Sequence, residues 1–250
     1  RNEVLTLPED RNIIIVDGRE VIKGQPISTY VLPAYAGVNP ATGQNMYYDA
    51  NNNIVYNPLS YQVNEDKSIN YRDDRIWGTA LPKFFGGWNN QISYKGITLD
   101  FLWQYQYGSV TYNSDYWANL LNGMEGGDNN VTKILDRWQK PGDITNVPRL
   151  SASGSYNGLS LSRASNRYIE DASYLRLKTL TLGYNINPER IKGFKSARIF
   201  VQSVNLLTFT KSNVIDPEVV STTGNPTSLL GGINQFPQGR QYSVGASFGF

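Results

Sequence analysis

The 250-residue chain contains no cysteine and no histidine. That double absence removes Cys and His nucleophiles, Ser-His-Asp triads and the usual zinc sites, and with them most hydrolytic and metal chemistry. Nothing in the chain asks for a cofactor, and no enzyme is expected. Long apolar runs are lacking too. None approaches the roughly 18 residues that a spanning helix requires, hydrophobic content is 40% and mean hydropathy is -0.42, which excludes a helical membrane protein. Charge of one sign is scarce: the net value is +2, too small to argue for a nucleic-acid partner. The chain begins at Arg1 rather than Met and shows no signal peptide, so it reads as part of a longer precursor.

What is abundant points to strands. The 17 Tyr raise aromatic content to 12%, and with 23 Gly and 12 Pro they suggest many strands joined by turns. The last eleven residues, RQYSVGASFGF (240–250), set the pattern. Tyr242, Val244, Ala246, Phe248 and Phe250 fall on one face of an extended chain, and Gln241, Ser243, Gly245, Ser247 and Gly249 on the other. A tilted strand of about 9–11 residues crosses a bilayer, and an apolar face backed by a small polar one suits an outer-membrane barrel. Taken alone, the segment suits better an ordinary half-buried strand of a soluble β-protein, such as a carbohydrate-binding sandwich.

The clearest pair of strands is 83–94 and 97–107. Phe84, Trp88, Ile92 and Tyr94 share a face, as do Ile97, Leu99, Phe101, Trp103, Tyr105 and Tyr107. A two-residue connection at Lys95-Gly96 puts Tyr94 opposite Ile97 and aligns the two apolar faces. Asp100 then points to the polar side, which a barrel lumen accepts and a sandwich core penalises. In 172–185 the even positions run Tyr174, Arg176, Lys178, Leu180, Leu182, Tyr184. Either this strand protrudes beyond the membrane or a bulge shifts its phase near Thr179. A short turn at 187–193 leads into a strand over 195–207 with imperfect alternation.

Elsewhere the text is less regular. Arg1 to Thr6 reads as the tail of a strand, and 13–16 with 19–22 as a hairpin turning at Asp17-Gly18. Residues 24–57 look loop-like, broken by Pro33, Gly37, Pro40 and Gly43. There Asp49, Asn51 and Asn53 match the opening of a calcium loop, but Ile54 replaces its glycine and Ser60 its bidentate Glu, so an Asx-rich turn is the expectation and no metal site is assigned. Val131, Ile134, Leu135 and Trp138 recur at helical spacing after a plausible cap at 128–130, predicting a helix folded over the loop that ends at Pro141-Gly142. Connections alternate between short (95–96, 187–194) and long (108–167, 208–239). Outer-membrane barrels sort short turns to the periplasm and long loops to the outside, and a soluble sandwich has no reason to.

The runs YAGVNPATGQNMYYD (35–49), GTALPKFFGGWNNQISYKGITLDF (78–101), RWQKPGD (137–143), DASYLRLKTLTLGYNI (171–186), ARIFVQSVNLLTFTK (197–211), DPEV (216–219) and FPQGRQYSVGASFGF (236–250) resemble the carboxy-terminal portion of SusC/RagA-type TonB-dependent transporters. The resemblance implies an all-β fold, a transmembrane antiparallel barrel of about 22 strands in the outer membrane, of which residues 1–250 supply about five. It implies an amino-terminal plug and a TonB-contact motif outside this chain, a SusD-like surface lipoprotein as partner, contact with outer-membrane lipid, and import of glycans or peptides. A passive porin or adhesin barrel is the alternative. Tyr116, Trp117 and Trp138 are candidates to stack on sugar rings or contact peptide, against the simpler expectation that they pack within their loop.

Overall fold

The computed structural model describes residues 2–8, 13–16, 19–59, 62, 63, 69, 70, 73–113, 130–161, 163–187, 193–212, 216–218 and 236–250. Among these run seventeen strands, all paired antiparallel, and no α-helix. The first third of the chain holds β1 (Ile13–Val16), β2 (Arg19–Ile22), β3 (Thr29–Val38), β4 (Asn45–Tyr48), β5 (Ile54–Val55), β6 (Gln62–Val63), β7 (Ile69–Asn70) and β8 (Asp74–Thr79). The long hairpin β9 (Phe84–Tyr94) and β10 (Ile97–Tyr107) follows, then the short β11 (Val110–Tyr112), β12 (Ser155–Tyr156), β13 (Leu159–Ser160) and β14 (Ile169–Asp171). The chain ends with β15 (Tyr174–Ile186), β16 (Ser196–Thr210) and β17 (Gln241–Gly249). Two compact units form, one from the described parts of 1–81 and 110–171, the other from those of 82–109, 172–219 and 236–250.

The second unit is one sheet, ordered β17-β16-β15-β10-β9. Its hairpin turns on Lys95 and Gly96 at φ 47° and 86°, the left-handed pair that a two-residue connection between twisted strands requires. Tyr94 therefore faces Ile97, and Ile92, Trp88 and Phe84 face Leu99, Trp103 and Tyr107. One face carries the apolar rows of all five strands: Ile97, Leu99 and Phe101 lie opposite Tyr184, Leu182 and Leu180, while Val201 lies between Leu182 and Val244. This face is bare. Trp88 is 57% exposed, Leu182 53% and Val244 84%, whereas on the polar face Arg176 is 3% exposed. A water-soluble sandwich buries its apolar side, so the arrangement is inverted in the sense that a membrane wall needs.

Keeping the apolar rows aligned takes a correction in phase. Between Leu177 and Thr179, β15 holds one residue more than the facing stretch of β10, so Leu175 and Leu177 share the apolar face with Leu180, Leu182 and Tyr184. The bulge alternative near Thr179 is the one adopted, and it frees Arg176 and Lys178 to lie on the polar side. The partner β16 is irregular at the same level, between Val204 and Leu207, which accounts for the imperfect alternation in its sequence. On the polar face Phe200 lies over Gly245, directly opposite, and a β-carbon there would sit 2.3 Å from the ring. The small residues of β17 are thus spaces for the larger side chains of β16.

The first unit centres on a four-stranded sheet, β5-β4-β3-β8. Its core is aromatic: Tyr30, Tyr112, Val147 and Tyr168 are buried together, with Leu32, Trp77, Val110 and Ile134 against them. The Tyr112 N–H donates to the Tyr30 hydroxyl at 3.2 Å, and the Trp77 indole donates to the Leu32 carbonyl at 2.8 Å. Three expectations are corrected here. The loop-like stretch 24–57 holds β3 and β4; β3 runs through Pro33 because it pairs with β8 over 29–33 and with β4 over 34–38, so the proline takes part in one ladder alone. The helix expected around Val131–Trp138 is one 3-10 turn, Thr132–Asp136, without a side-chain cap; Val131 and Leu135 stay exposed, Ile134 packs against the aromatic core, and Trp138, past the turn, is buried. Residues 2–7 form no strand, although Val4 exchanges hydrogen bonds with Gly24 and Gln25. The hairpin β1–β2 is present, and its turn at 17–18 lies outside the described residues.

Adjacent residues on opposite faces test the assignment. In bilayer refolding of the full-length protein, Leu180→Arg is expected to cost about 2–4 kcal/mol, and Thr181→Arg, opposite Asp100 on the polar side, less than about 1 kcal/mol. Equal costs would contradict the sidedness of the sheet.

Candidate functional site

The polar face carries a cluster of four charges. Arg176 donates through Nη2 to Asp216 Oδ1 at 2.7 Å, through Nη1 to Glu218 Oε2, and through Nε to Thr208 Oγ1 at 2.9 Å. Lys178 Nζ donates to both Glu218 oxygens, at 2.9 and 2.8 Å, and to Gln238 Oε1 at 2.8 Å. Side chains of Arg176 and Asp216 are 4% and 3% exposed. Strand geometry supplies both cations: alternation puts Arg176 on this face and the bulge adds Lys178 beside it. Further along the wall Asp100 lies 3.7 Å from Arg198, which also donates to Thr98 Oγ1 at 3.2 Å.

Asp216 also accepts from the backbone, Oδ1 from the Glu218 N–H and Oδ2 from the Gln238 N–H, each at 2.9 Å. Burial pushes its carboxyl up, but the hydrogen bonds from Arg176, Glu218 and Gln238 outweigh that and hold it below the usual carboxylate range. The carboxylate therefore stays ionised wherever its partners stay in place. Every strong donor in the cluster is already engaged, so its chemistry is that of a structural joint on the wall.

In the first unit Trp138 is buried, with its indole N–H donating to the Pro40 carbonyl at 2.8 Å. Its ring covers Gly43, where φ is 73° and a β-carbon would lie 2.5 Å from the ring. The Arg149 guanidinium sits 5.4 Å from the Trp138 ring centre and 3.9 Å from that of Tyr156, a cation stacked between two aromatics. Tyr116 and Trp117 lie outside the described residues. Asp49 closes the Asx turn: Oδ1 accepts the N–H groups of Asn51 and Asn53, and Oδ2 the Asn53 amide at 3.0 Å. These bonds, from Asn53 first, hold its carboxyl below the usual range. Its oxygens are turned to the loop's own donors, Ser60 lies outside the described residues, and among the described residues no group of three or more Asp or Glu is placed to hold a metal ion.

Sequence reasoning marks the charges at 176 and 178 and the Asp216-Pro217-Glu218 triplet separately, and misses that they meet. No spacing signal joins groups 40 residues apart; the bulge is the one available hint. Gly43→Ala tests the aromatic side of the site. It meets both the ring of Trp138 and a left-handed backbone, and should destabilise the unit by about 1–3 kcal/mol, shifting Trp138 emission to the red in a protein whose other tryptophans are replaced by Phe. Unchanged emission would refute the packing.

No protein-family model matches the chain. Among curated proteins it is 30% identical over 189 residues to TonB-dependent receptor P3 of Formosa agariphila, covering 73% of this chain and 18% of that protein. It is 29% identical over 167 residues to TonB-dependent receptor P26 of the same organism, covering 66% of this chain and 16% of that one. The chain thus spans about a sixth of the length of the curated relatives it matches. Among solved structures, the RagAB peptide importer in its open-open state superposes with a TM-score of 0.72 at 26% identity, over 99% of this chain and 25% of that one. The RagAB peptide transporter gives 0.73 at 26% identity, over 98% and 25%. These relatives are receptors and a peptide importer, not enzymes. An inverted five-stranded wall, strands in that order and likeness along nearly the whole chain converge: the chain belongs to the SusC/RagA-type TonB-dependent transporters and forms part of the wall of such an outer-membrane barrel.

Proposed function

We propose that the protein to which this chain belongs imports oligomeric nutrients, peptides or glycans, across the outer membrane, driven through TonB and capped outside by a SusD-like lipoprotein. The observation that carries the reading is the match to the RagAB peptide importer over 99% of this chain. The wall suits an importer, with an apolar face made for lipid and a polar face that offers amides, hydroxyls and paired charges to what passes or fills the lumen. The plug and the TonB-contact motif belong to parts of the protein outside residues 1–250. Transport of this kind asks for no covalent step from the chain.

Connections at one end of the sheet are short, at Lys95-Gly96 and 187–195, and at the other end long, 108–173 and 211–240. The lid rests on the long ones in this reading, at the outer surface, with an interface that is partly polar because it opens and closes. Tyr116 and Trp117 are the proposed aromatic contacts to cargo. Trp138 serves with them by holding its loop through Pro40, Gly43 and Arg149.

Purification of the full-length barrel in mild detergent tests the reading. A surface lipoprotein is expected to come with it, removal of residues 220–234 to weaken that complex while the barrel still inserts, and uptake of a labelled peptide or glycan library to stop when the proton-motive force is collapsed. A barrel that carries no lipoprotein and admits solutes without an energised inner membrane would support the passive-pore alternative instead.

A further inference from the structure

Two neighbouring strands break their regular pairing at the same level. In β15 the extra residue is Lys178, and in β16 the irregularity includes Asn205, a non-glycine residue at φ 53°. A bulge forfeits ladder bonds, and a left-handed non-glycine residue costs about 1 kcal/mol or more, so coincident irregularities call for a cause. Both aim side chains at one target. Lys178 holds Glu218 and Gln238, and Asn205 Nδ2 donates to Gln238 Oε1 at 3.4 Å and to the Gly239 carbonyl at 3.3 Å. Removing four charges from water is no general route to stability either, since apolar side chains of similar volume do as well. The centre of the arrangement is Asp216. One of its oxygens takes Arg176 and the Glu218 N–H, and the other takes the N–H of Gln238, 22 residues further along the chain.

We propose that Asp216 is a latch that fastens both feet of the connection between β16 and β17, residues 216–218 and 236–239, to the polar wall as a single unit. The bulges at Lys178 and Asn205 place their side chains against those two feet, and Arg176 fixes the latch to β15. Where the connection leaves and rejoins the wall is then set by one carboxylate, independently of residues 219–235 and of what they bind. The latch positions the connection; it does not hold the sheet together, whose pairing from β9 to β17 runs on either side of it.

Residue-resolved hydrogen exchange of the full-length transporter in nanodiscs tests this. Asp216→Asn keeps the shape but turns an amide donor toward groups that are themselves donors. Protection of the Glu218 and Gln238 N–H groups is expected to fall together, each by more than about tenfold, while the amides of β15 from Thr181 to Tyr184 stay unexchanged over the same hours. Lys178→Met, which leaves the carboxylate in place, should lower both by a common smaller factor, and it serves as the probe should the Asp216 variant fail to insert. Loss at one foot alone, at neither foot, or in β15 as well would overturn the latch.

Discussion

Period-two alternation constrains everything in the sheet. A strand that crosses a bilayer must satisfy its backbone through its neighbours, and must offer lipid one face and the interior the other. A single missing residue would send every later side chain to the wrong solvent. The five strands meet this demand with an in-register hairpin at Lys95-Gly96 and with a shared irregularity on β15 and β16. The bulge is what lets one strand carry Arg176 and Lys178 on the polar side and Leu175, Leu177, Leu180 and Leu182 on the other.

Charge placement follows from that segregation. Cations on the polar wall cannot stay unpaired among packed side chains, and here they are met by Asp216 and Glu218 from the connection between β16 and β17. The same pairing that neutralises the wall therefore determines where the connection is fastened. In the first unit, aromatic packing does the equivalent work. Burial pushes the hydroxyls of Tyr47, Tyr112 and Tyr168 far above their ordinary range, so these side chains act there as neutral packing bulk.

The long strands are legible in the sequence because alternation, turn chemistry and length agree: β10 spans the expected 97–107, and β17 lies within the expected 240–250. Less is legible in the first unit. Along β3 burial does not alternate, because half the strand pairs with β8 and half with β4; Pro33 stands where the strand changes partner and Gly37 where its register with β4 shifts. Val131, Ile134, Leu135 and Trp138 have helical spacing, but Trp138 is drawn onto Gly43 and Pro40 and the chain makes one 3-10 turn. The cluster around Asp216 is out of reach for another reason: its members come from four separate stretches, 176–178, 205–208, 216–218 and 238–239, and pairing of single groups across such distances leaves no local pattern.

The central claim is that β15 lies in a membrane wall and reverses phase at Lys178. The absence of cysteine makes the chain suited to single spin labels placed one at a time from 174 to 186 in the bilayer-embedded transporter. Oxygen accessibility should peak at 175, 177, 180, 182 and 184, with the break at 178, while access to a water-soluble nickel reagent peaks at the alternate positions. An unbroken two-residue period through 178, or equal aqueous access on both faces, would contradict the account.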